Sequence, residues 1–349
     1  MLKSLQKAFK VKEVRDRLLY TFMMLVVIRI GCCLPIPGVD PSYLHDFFSN
    51  LQNSGMGFFN AITGGSFSSM SIFALSITPY ITSSIIMQLL TIAIPKLEEM
   101  QKDGEDGRKK IAEYTRYLTV GLALFESCAM AVGLGGKGLL LEDHRNVWGY
   151  LTVVAAMTAG SALLMWIGER ITDNGVGNGI SIVLLINIVS GTPQDMITLY
   201  ERFMAGKSVA VATVACIIVL AIIIAIVVFV LVLNDAERRI PVQYSKKMQG
   251  RRMIGGQSTY IPLKVNTANV IPVIFASSIM SMPVMIAQFF HVDYSTIGGK
   301  ILLALSSSNW FKPEAPAYSI GMLVYIVLVV LFAYFYTSIT FNPLEVANN

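Results

Sequence analysis

The fold class is decided by one uncharged stretch, Ser71-Ile-Phe-Ala-Leu-Ser-Ile-Thr-Pro-Tyr-Ile-Thr-Ser-Ser-Ile-Ile-Met-Gln-Leu-Leu90. About 20 residues, each rising 1.5 Å along a helix, are enough to cross the hydrocarbon core of a bilayer. However, six Ser or Thr residues, one Gln and Pro79 interrupt the stretch. Because polar groups in lipid need partners, we expect this helix to lie inside a bundle or beside water.

The composition extends this conclusion to the whole chain. Hydrophobic residues make up 54% of the 349 residues and charged residues only 14%, whereas soluble domains have about 45–50% and 25%. Eight apolar segments are predicted as membrane helices, near residues 18–34, 71–94, 117–133, 147–167, 177–190, 209–233, 270–290 and 318–341, of which the fifth is short. The sequence therefore predicts an all-α polytopic membrane protein. Because the first apolar run passes directly into Pro35-Ile-Pro-Gly38, we expect no cleavable signal peptide.

The basic residues predict the orientation. Twenty of the 27 Lys and Arg residues fall at the N-terminus or in loops on one side of the predicted spans, six fall on the other side, and Arg29 lies within the first span. Because basic loops stay in the cytoplasm, we expect a cytoplasmic N-terminus.

The sequence offers little for catalysis. The three histidines, His45, His144 and His291, fall in three different outer loops without metal-ligand spacing. No nucleophile elbow, zinc-protease helix or phosphate-binding loop is present. We therefore expect no enzyme activity, no metal and no cofactor.

Charged residues within predicted spans leave a second function class open. Arg29 lies in the first span and Glu126 in the third, and a secondary transporter for a small solute would use such groups near the membrane midplane. Structural roles for both residues are the alternative. A membrane scaffold without transport is a third class.

The loop Asn234–Asn266 is too long to be a simple connector. Its tip, residues 243–260, mixes basic residues with Tyr and Met. This composition fits docking of an RNA-rich or acidic protein partner, and it fits contact with lipid headgroups equally well.

Several motifs resemble the SecY/Sec61-alpha family of protein-conducting channel subunits. They include Pro35-Ile-Pro-Gly-Val-Asp40, Ser71-Ile-Phe-Ala-Leu-Ser-Ile-Thr-Pro-Tyr-Ile81, Gly104-Glu-Asp-Gly-Arg-Lys-Lys-Ile-Ala-Glu-Tyr-Thr-Arg-Tyr117, Trp166-Ile-Gly-Glu-Arg-Ile-Thr-Asp-Asn-Gly-Val-Gly-Asn-Gly-Ile-Ser181, Ile271-Pro-Val-Ile-Phe-Ala-Ser-Ser278 and Phe341-Asn-Pro-Leu-Glu-Val-Ala347. The resemblance implies an inverted-repeat bundle with eight of the usual ten transmembrane helices, in one channel domain over residues 1–349. Residues 1–190 would form the N-terminal half, and residues 209–349 a partial C-terminal half with the docking loop 234–266.

The resemblance also implies functional positions. A pore ring would consist of Ile77, Ile81, Ile180, Leu184 and Ile274. A plug near residues 60–70 would include Ile62, Thr63, Gly64, Gly65, Ser66, Phe67, Ser68 and Ser69, and its Gly and Ser content suggests loose packing. A lateral gate would include Ser76, Pro79, Ser83, Ser84, Gln88, Ser277 and Ser278, with Pro79, Pro272 and Pro283 as bending points. Docking residues would be Arg108, Lys109, Lys110, Lys246, Lys247, Arg251 and Arg252.

The implied function is passage of unfolded, signal-bearing polypeptides across the bacterial plasma membrane and lateral release of hydrophobic segments into lipid. The implied partners are SecE, SecG, the SecA motor ATPase, the ribosome, the client chains and membrane lipids. Helical spacing agrees for the ring, because Ile77 and Ile81, like Ile180 and Leu184, are four residues apart and share a helix face. Ordinary core packing would give the same spacing.

Overall fold

The computed structural model describes residues 10–40, 60, 63–243, 247–249, 252–254, 258–268, 270–289, 296–306, 309–310 and 316–340. The α-helices within these ranges are α1 Lys12–Cys33, α2 Thr78–Ala93, α3 Pro95–Lys102, α4 Glu105–Leu134, α5 Val147–Asn174, α6 Gly179–Phe203, α7 Val209–Asp235, α8 Ile271–Phe289, α9 Ile297–Leu305 and α10 Ile320–Thr340. The strands are β1 Glu237–Gln243, β2 Lys247–Gln249, β3 Arg252–Ile254 and β4 Ser258–Lys264. Each of the eight predicted apolar segments overlaps one helix, and α3 and α9 are additional short helices.

The stretch that predicted the fold class is only partly helical. We expected a helix from Ser71, but residues 71–77 form turns and α2 begins at Thr78. Pro79 therefore lies in the first turn of α2, where its missing N–H costs no helical hydrogen bond. The expectation that Pro79 bends the span is wrong. The break comes at Pro95, where α2 and α3 meet at 103°.

Of the two other prolines predicted as bending points, one lies at the start of a helix and one lies inside it. Pro272 is the second residue of α8 and so starts that helix, whereas Pro283 lies inside it. The fifth span is longer than predicted, because α6 runs for 25 residues through Pro193. A proline inside a helix removes one backbone hydrogen bond and bends the helix without ending it when the surrounding packing allows.

The chain forms two compact units. The larger unit comprises residues 1–193 and 277–325, and the smaller unit comprises residues 194–276 and 326–349. The predicted halves, 1–190 and 209–349, remain a prediction.

The larger unit is built around α5. This helix packs along α4 and also contacts α1 and α2. Within its most apolar 18 residues, 44% are buried. Gly160 on α5 has no room for a side chain, because the carbonyl oxygen of Ile72 lies where a Cβ would be. The turns 71–77 therefore approach α5 through their backbone.

Two apolar clusters form the core of the larger unit. The first contains Phe67, Met70, Leu75, Met130, Leu139, Val153 and Met157. The second contains Ile28, Cys32, Phe73, Ile77, Leu164, Ile167, Ile171 and Val183. Isolated β-bridges join Pro35 to Ser71 and Val39 to Leu140, so the segment after α1 is fixed beside both the turns and the residues that follow α4.

In the smaller unit, the predicted docking loop has regular structure. Strands β1 and β4 form an antiparallel ladder with Glu237 opposite Lys264 and Gln243 opposite Ser258. Strands β2 and β3 form a second, shorter pair. The guanidinium carbon of Arg239 lies 4.7 Å from the centre of the Tyr260 ring, a distance typical of cation–π contacts.

Four helices in the described ranges are long and apolar enough to span a membrane, namely Val147–Asn174, Gly179–Glu201, Val209–Asp235 and Pro316–Ser338. The bent pair α2–α3 would be a fifth span. None of the 18 most apolar residues of α7 is buried within the described protein, as expected for a helix that faces lipid. The chain is a multi-pass membrane protein, and the count of eight spans remains a prediction.

Candidate functional site

Four of the five predicted ring residues meet in the larger unit. Ile77 is fully buried in the second core cluster, and Ile81, Ile180 and Leu184 are half-buried against it. The amide of Ile81 donates to the carbonyl oxygen of Ile77 at 3.1 Å, so these two residues are one helical turn apart at the start of α2. The fifth residue, Ile274, is half-buried on α8 in the smaller unit.

Two glycines allow this grouping. The carbonyl oxygen of Gly168 on α5 occupies the place where a Cβ on Gly179 would stand. A Cβ on Gly168 would in turn lie 2.8 Å from Ile180 Cδ1 and 3.6 Å from Ile77 Cδ1. The first turn of α6 can therefore lie directly against α5, which brings Ile180 close to Ile77.

The glycine-rich start of α6 is fixed by hydrogen bonds. The side chain of Asn178 accepts from the amides of Ile180 at 3.0 Å and Ser181 at 3.3 Å. The hydroxyl of Thr172 accepts from the amide of Gly179 at 2.9 Å. These contacts satisfy amides that the helix itself leaves free, so the position of Ile180 is well defined.

Within the predicted plug, Asn60 and the residues from Thr63 onwards are described, and Ile62 lies outside the described residues. Its polar groups mostly bond one another. The Asn60 side chain accepts from the amide of Ser68 at 3.1 Å, and the hydroxyls of Ser68 and Ser69 donate to the carbonyl oxygen of Gly65 at 2.8 and 3.1 Å. Such side-chain bonds replace those that a regular helix would supply.

This segment is firmly packed, contrary to the expectation of loose packing. Phe67 and Met70 are 0% exposed and belong to the first core cluster, and Thr63 is also 0% exposed. The Gly and Ser residues serve close approach. A Cβ on Gly64 would lie 2.9 Å from the Cα and the carbonyl oxygen of Asn187 on α6.

The predicted gate residues have different surroundings. Ser76 is buried and accepts a hydrogen bond from Asn187 Nδ2 at 2.9 Å, and Ser83 is buried and donates to the carbonyl oxygen of Pro79 at 2.7 Å. Ser84 is half-buried and Gln88 is exposed. On α8, Ser277 and Ser278 are half-buried, and Ser277 Oγ lies 3.4 Å from the Tyr325 hydroxyl oxygen.

The predicted docking residues fall in two places. Arg108, Lys109 and Lys110 are exposed in the first turns of α4. Lys247 lies on β2 and Arg252 on β3. Lys246 and Arg251 lie outside the described residues.

The two charges within spans have different partners. Arg29 Nη1 donates to Ser190 Oγ on α6 at 2.9 Å and, over a longer 3.4 Å, to the carbonyl oxygen of Gly64. Glu126 is half-buried on α4, and its Oε2 has no hydrogen-bond partner in the described part of the chain. Arg29 thus has the structural contacts that the sequence left open.

Asn187 and Ser190 were not among the residues predicted from the sequence. Asn187 is 1% exposed. Its spacing indicates a position beside the predicted ring residues, because residues 180, 184 and 187 lie on one face of a helix. Ser190 follows three residues later on a neighbouring position.

Comparison with known proteins is consistent with this arrangement. The SecY family model matches residues 71–349. A protein translocase subunit SecY from Streptomyces scabiei is 43% identical over 361 aligned residues, which cover 100% of this chain and 79% of the relative.

Solved structures share the fold. A SecY protein whose plug domain stabilises the closed state of the translocation channel gives a TM-score of 0.57 at 19% identity, covering 93% of this chain and 72% of that one. The Sec61 chain of a canine ribosome–channel complex from the endoplasmic reticulum gives 0.57 at 21% identity, covering 96% and 76%. At these identities the likeness shows the fold alone.

The close approach at Gly64 can be tested with a matched pair of variants. Gly64 and Gly65 both have positive φ, +66° and +82°, so alanine strains the backbone at either position by about 1–2 kcal/mol. Only at Gly64 does the added Cβ meet another backbone, because nothing lies within 4 Å of the position at Gly65. We expect Gly64→Ala to lower the unfolding temperature in detergent clearly more than Gly65→Ala. Equal shifts would contradict the packing described here.

Proposed function

Because the chain belongs to the SecY family, we propose that it forms the channel through which unfolded, signal-bearing polypeptides cross the membrane and from which hydrophobic segments pass sideways into lipid. The observation that carries this proposal is 43% identity over the entire chain to a protein translocase subunit. The solved channel structures support it through the fold.

The proposed constriction is the ring of Ile77, Ile81, Ile180, Leu184 and Ile274. Aliphatic side chains can exclude ions by keeping a narrow passage dry. Their dispersion contacts have no preferred direction, so they can close around side chains of many shapes. The grouping of four of these residues in one cluster supports the proposal.

Residues 60–70 are proposed as the plug, and α2 with α8 as walls of the lateral gate. Serines suit such walls because their hydroxyls can bond within a helix or to water. Ser83, for example, bonds the carbonyl oxygen of Pro79 in its own helix. Ser76, Ser84 and Gln88 on one side, and Ser277 and Ser278 on the other, complete the proposed gate.

The proposed location is the bacterial plasma membrane with the N-terminus in the cytoplasm. SecE and SecG would be membrane partners, and SecA or the ribosome would dock at the basic surfaces of α4 and the β1–β4 loop. The ribosome–channel complex containing Sec61 supports ribosome docking by analogy of fold. The channel itself would catalyse no reaction, and its partners would supply the energy.

The function can be tested by reconstitution. We expect vesicles that contain the chain with SecE and SecG to import a signal-bearing preprotein when SecA and ATP are added outside. Protease protection of the preprotein measures import. A preprotein without its signal is the control, and equal protection of both substrates, or of neither, would contradict the proposed function.

The ring predicts a selective effect on ion leak. We expect Ile81→Ser and Leu184→Ser to raise the resting ion flux of the vesicles several-fold, because a hydroxyl makes a narrow apolar passage easier to wet. Leu185→Ser, at the next position on α6, is the matched control, since Leu185 is 60% exposed at the surface of the described chain. An ion flux that stays at the parental level in both ring variants would contradict the ring.

The basic surface of α4 predicts salt-sensitive docking. Replacing Arg108, Lys109 and Lys110 together by Glu should weaken SecA or ribosome binding at least tenfold at low ionic strength. The difference should shrink at high salt, because the Debye length falls from about 10 Å at 0.1 M to about 3 Å at 1 M. The control keeps the charge through Arg108→Lys, Lys109→Arg and Lys110→Arg. Binding that is unchanged in co-sedimentation by the reversal would exclude this surface.

A further inference from the structure

Three elements of the larger unit meet at the guanidinium group of Arg29. The group extends from α1 and donates through Nη1 to Ser190 Oγ on α6 and to the carbonyl oxygen of Gly64, near the start of the segment Thr63–Ser76. Ser190 Oγ donates in turn to the carbonyl oxygen of Asn187 at 2.6 Å. One cation therefore links the start of the plug segment to α6.

The same turn of α6 also holds the other end of the segment. Asn187 Nδ2 donates to Ser76 Oγ at 2.9 Å, just before α2 begins. Ser76 has φ +52°, a left-handed conformation that is unfavourable for a residue other than glycine. The Asn187 bond and the burial of Ser76 hold this strained turn in place.

The polar contacts lie next to the ring. Asn187 continues the face of α6 that carries Ile180 and Leu184, and it lies about 4.5 Å beyond Leu184 along the helix axis at 1.5 Å per residue. Two of the residues that would form the constriction, Ile180 and Leu184, thus share α6 with the residue that holds the segment at Ser76.

We propose that Arg29 and Asn187 are positioning residues that latch the segment Thr63–Ser76 onto α6 and so keep the channel closed. The inference rests on the proposed function for its meaning, because closure matters only in a channel. It adds the residues that hold the segment, which the family resemblance did not supply.

The latch is suited to release because it consists of a few polar bonds. Charged and amide donors at membrane depth keep a bonded partner, since an unpaired polar group in an apolar site is costly. Asn187 Oδ1 already lacks a partner in the described residues. When water or a polypeptide enters, it can satisfy Arg29 and Asn187 in place of the segment, and the strained turn at Ser76 can relax.

The experiment measures directly how often the segment leaves its site. Ser66 is 1% exposed, so Ser66→Cys in a chain with Cys32, Cys33, Cys128 and Cys216 replaced by Ser gives a buried reporter thiol. The labelling rate with a water-soluble maleimide, measured on the complete channel complex in membranes, reports the fraction of time for which the segment is open.

We expect Arg29→Gln and Asn187→Leu each to raise that labelling rate about tenfold, the order that corresponds to losing a hydrogen bond of a charged or buried group. Arg29→Lys should fall between parent and Arg29→Gln, because an ammonium group keeps the charge but not the planar geometry. If Arg29→Gln does not assemble, Ser190→Ala tests the bond between Arg29 and Ser190, and Ser76→Ala tests the bond between Asn187 and Ser76. Both variants change the side-chain volume very little.

The matched control is Thr158→Val. It removes a hydrogen bond from Thr158 Oγ1 to Ser127 Oγ, 3.1 Å long, between α5 and α4. If this control accelerates labelling as much as the latch variants do, the effect is general loosening and the latch is wrong. Parental labelling rates in Arg29→Gln and Asn187→Leu, or in Ser190→Ala and Ser76→Ala, would also overturn it.

Preprotein import by the same membranes separates the two proposals. Import by the parent together with unchanged labelling in the variants would reject the latch and leave the proposed function standing. Faster labelling of the latch variants without import by the parent would reject the function and leave the attachment of the segment to α6 established.

Discussion

Backbone without helical hydrogen bonds has to be enclosed by protein wherever it lies at membrane depth. Most of the backbone from Gly64 to Ile77 lies in turns and not in a regular helix, and the larger unit is arranged around it. Turn bonds within the segment, such as those of Ser66 to Thr63 and Ser71 to Ser66, satisfy part of it. Phe67 and Met70 fix it in the first core cluster.

Close approach to the surrounding helices requires missing side chains. Gly160 lets α5 accept the carbonyl of Ile72, and Gly64 lets the segment lie against the backbone of Asn187. Gly168 and Gly179 bring α5 and α6 together in the same way. These contacts explain how so polar a segment can be buried: its apolar residues face the core, and its glycines allow the backbone to reach bonding partners.

Helix α6 then combines two properties on one face. Ile180 and Leu184 pack against the apolar cluster, while Asn187 and Ser190 carry polar contacts of the segment. A rigid helix with both properties couples the position of the segment to the position of the ring residues, since moving α6 disturbs both. The capped start of α6 at Asn178 strengthens this coupling.

The sequence by itself determined the fold class, the approximate position of each long apolar helix and, through the motifs that resemble the SecY family, the function proposed here. Hydropathy and charge suffice for the fold class and the helix positions, because the bilayer imposes length and polarity on every span. Hydropathy could not reveal that residues 71–77 are turns, because uncharged turns buried in protein are as apolar in composition as a helix.

Only the tertiary structure decided where the polar groups find partners. Pro79 lies in the first turn of α2, after turns that are held against α5. The plug is firmly packed because Phe67 meets residues far away in the chain. The roles of Arg29 and Asn187 depend on bonds across 35 to 161 positions of sequence. Local propensity contains no information about such long-range contacts, so they were settled by packing.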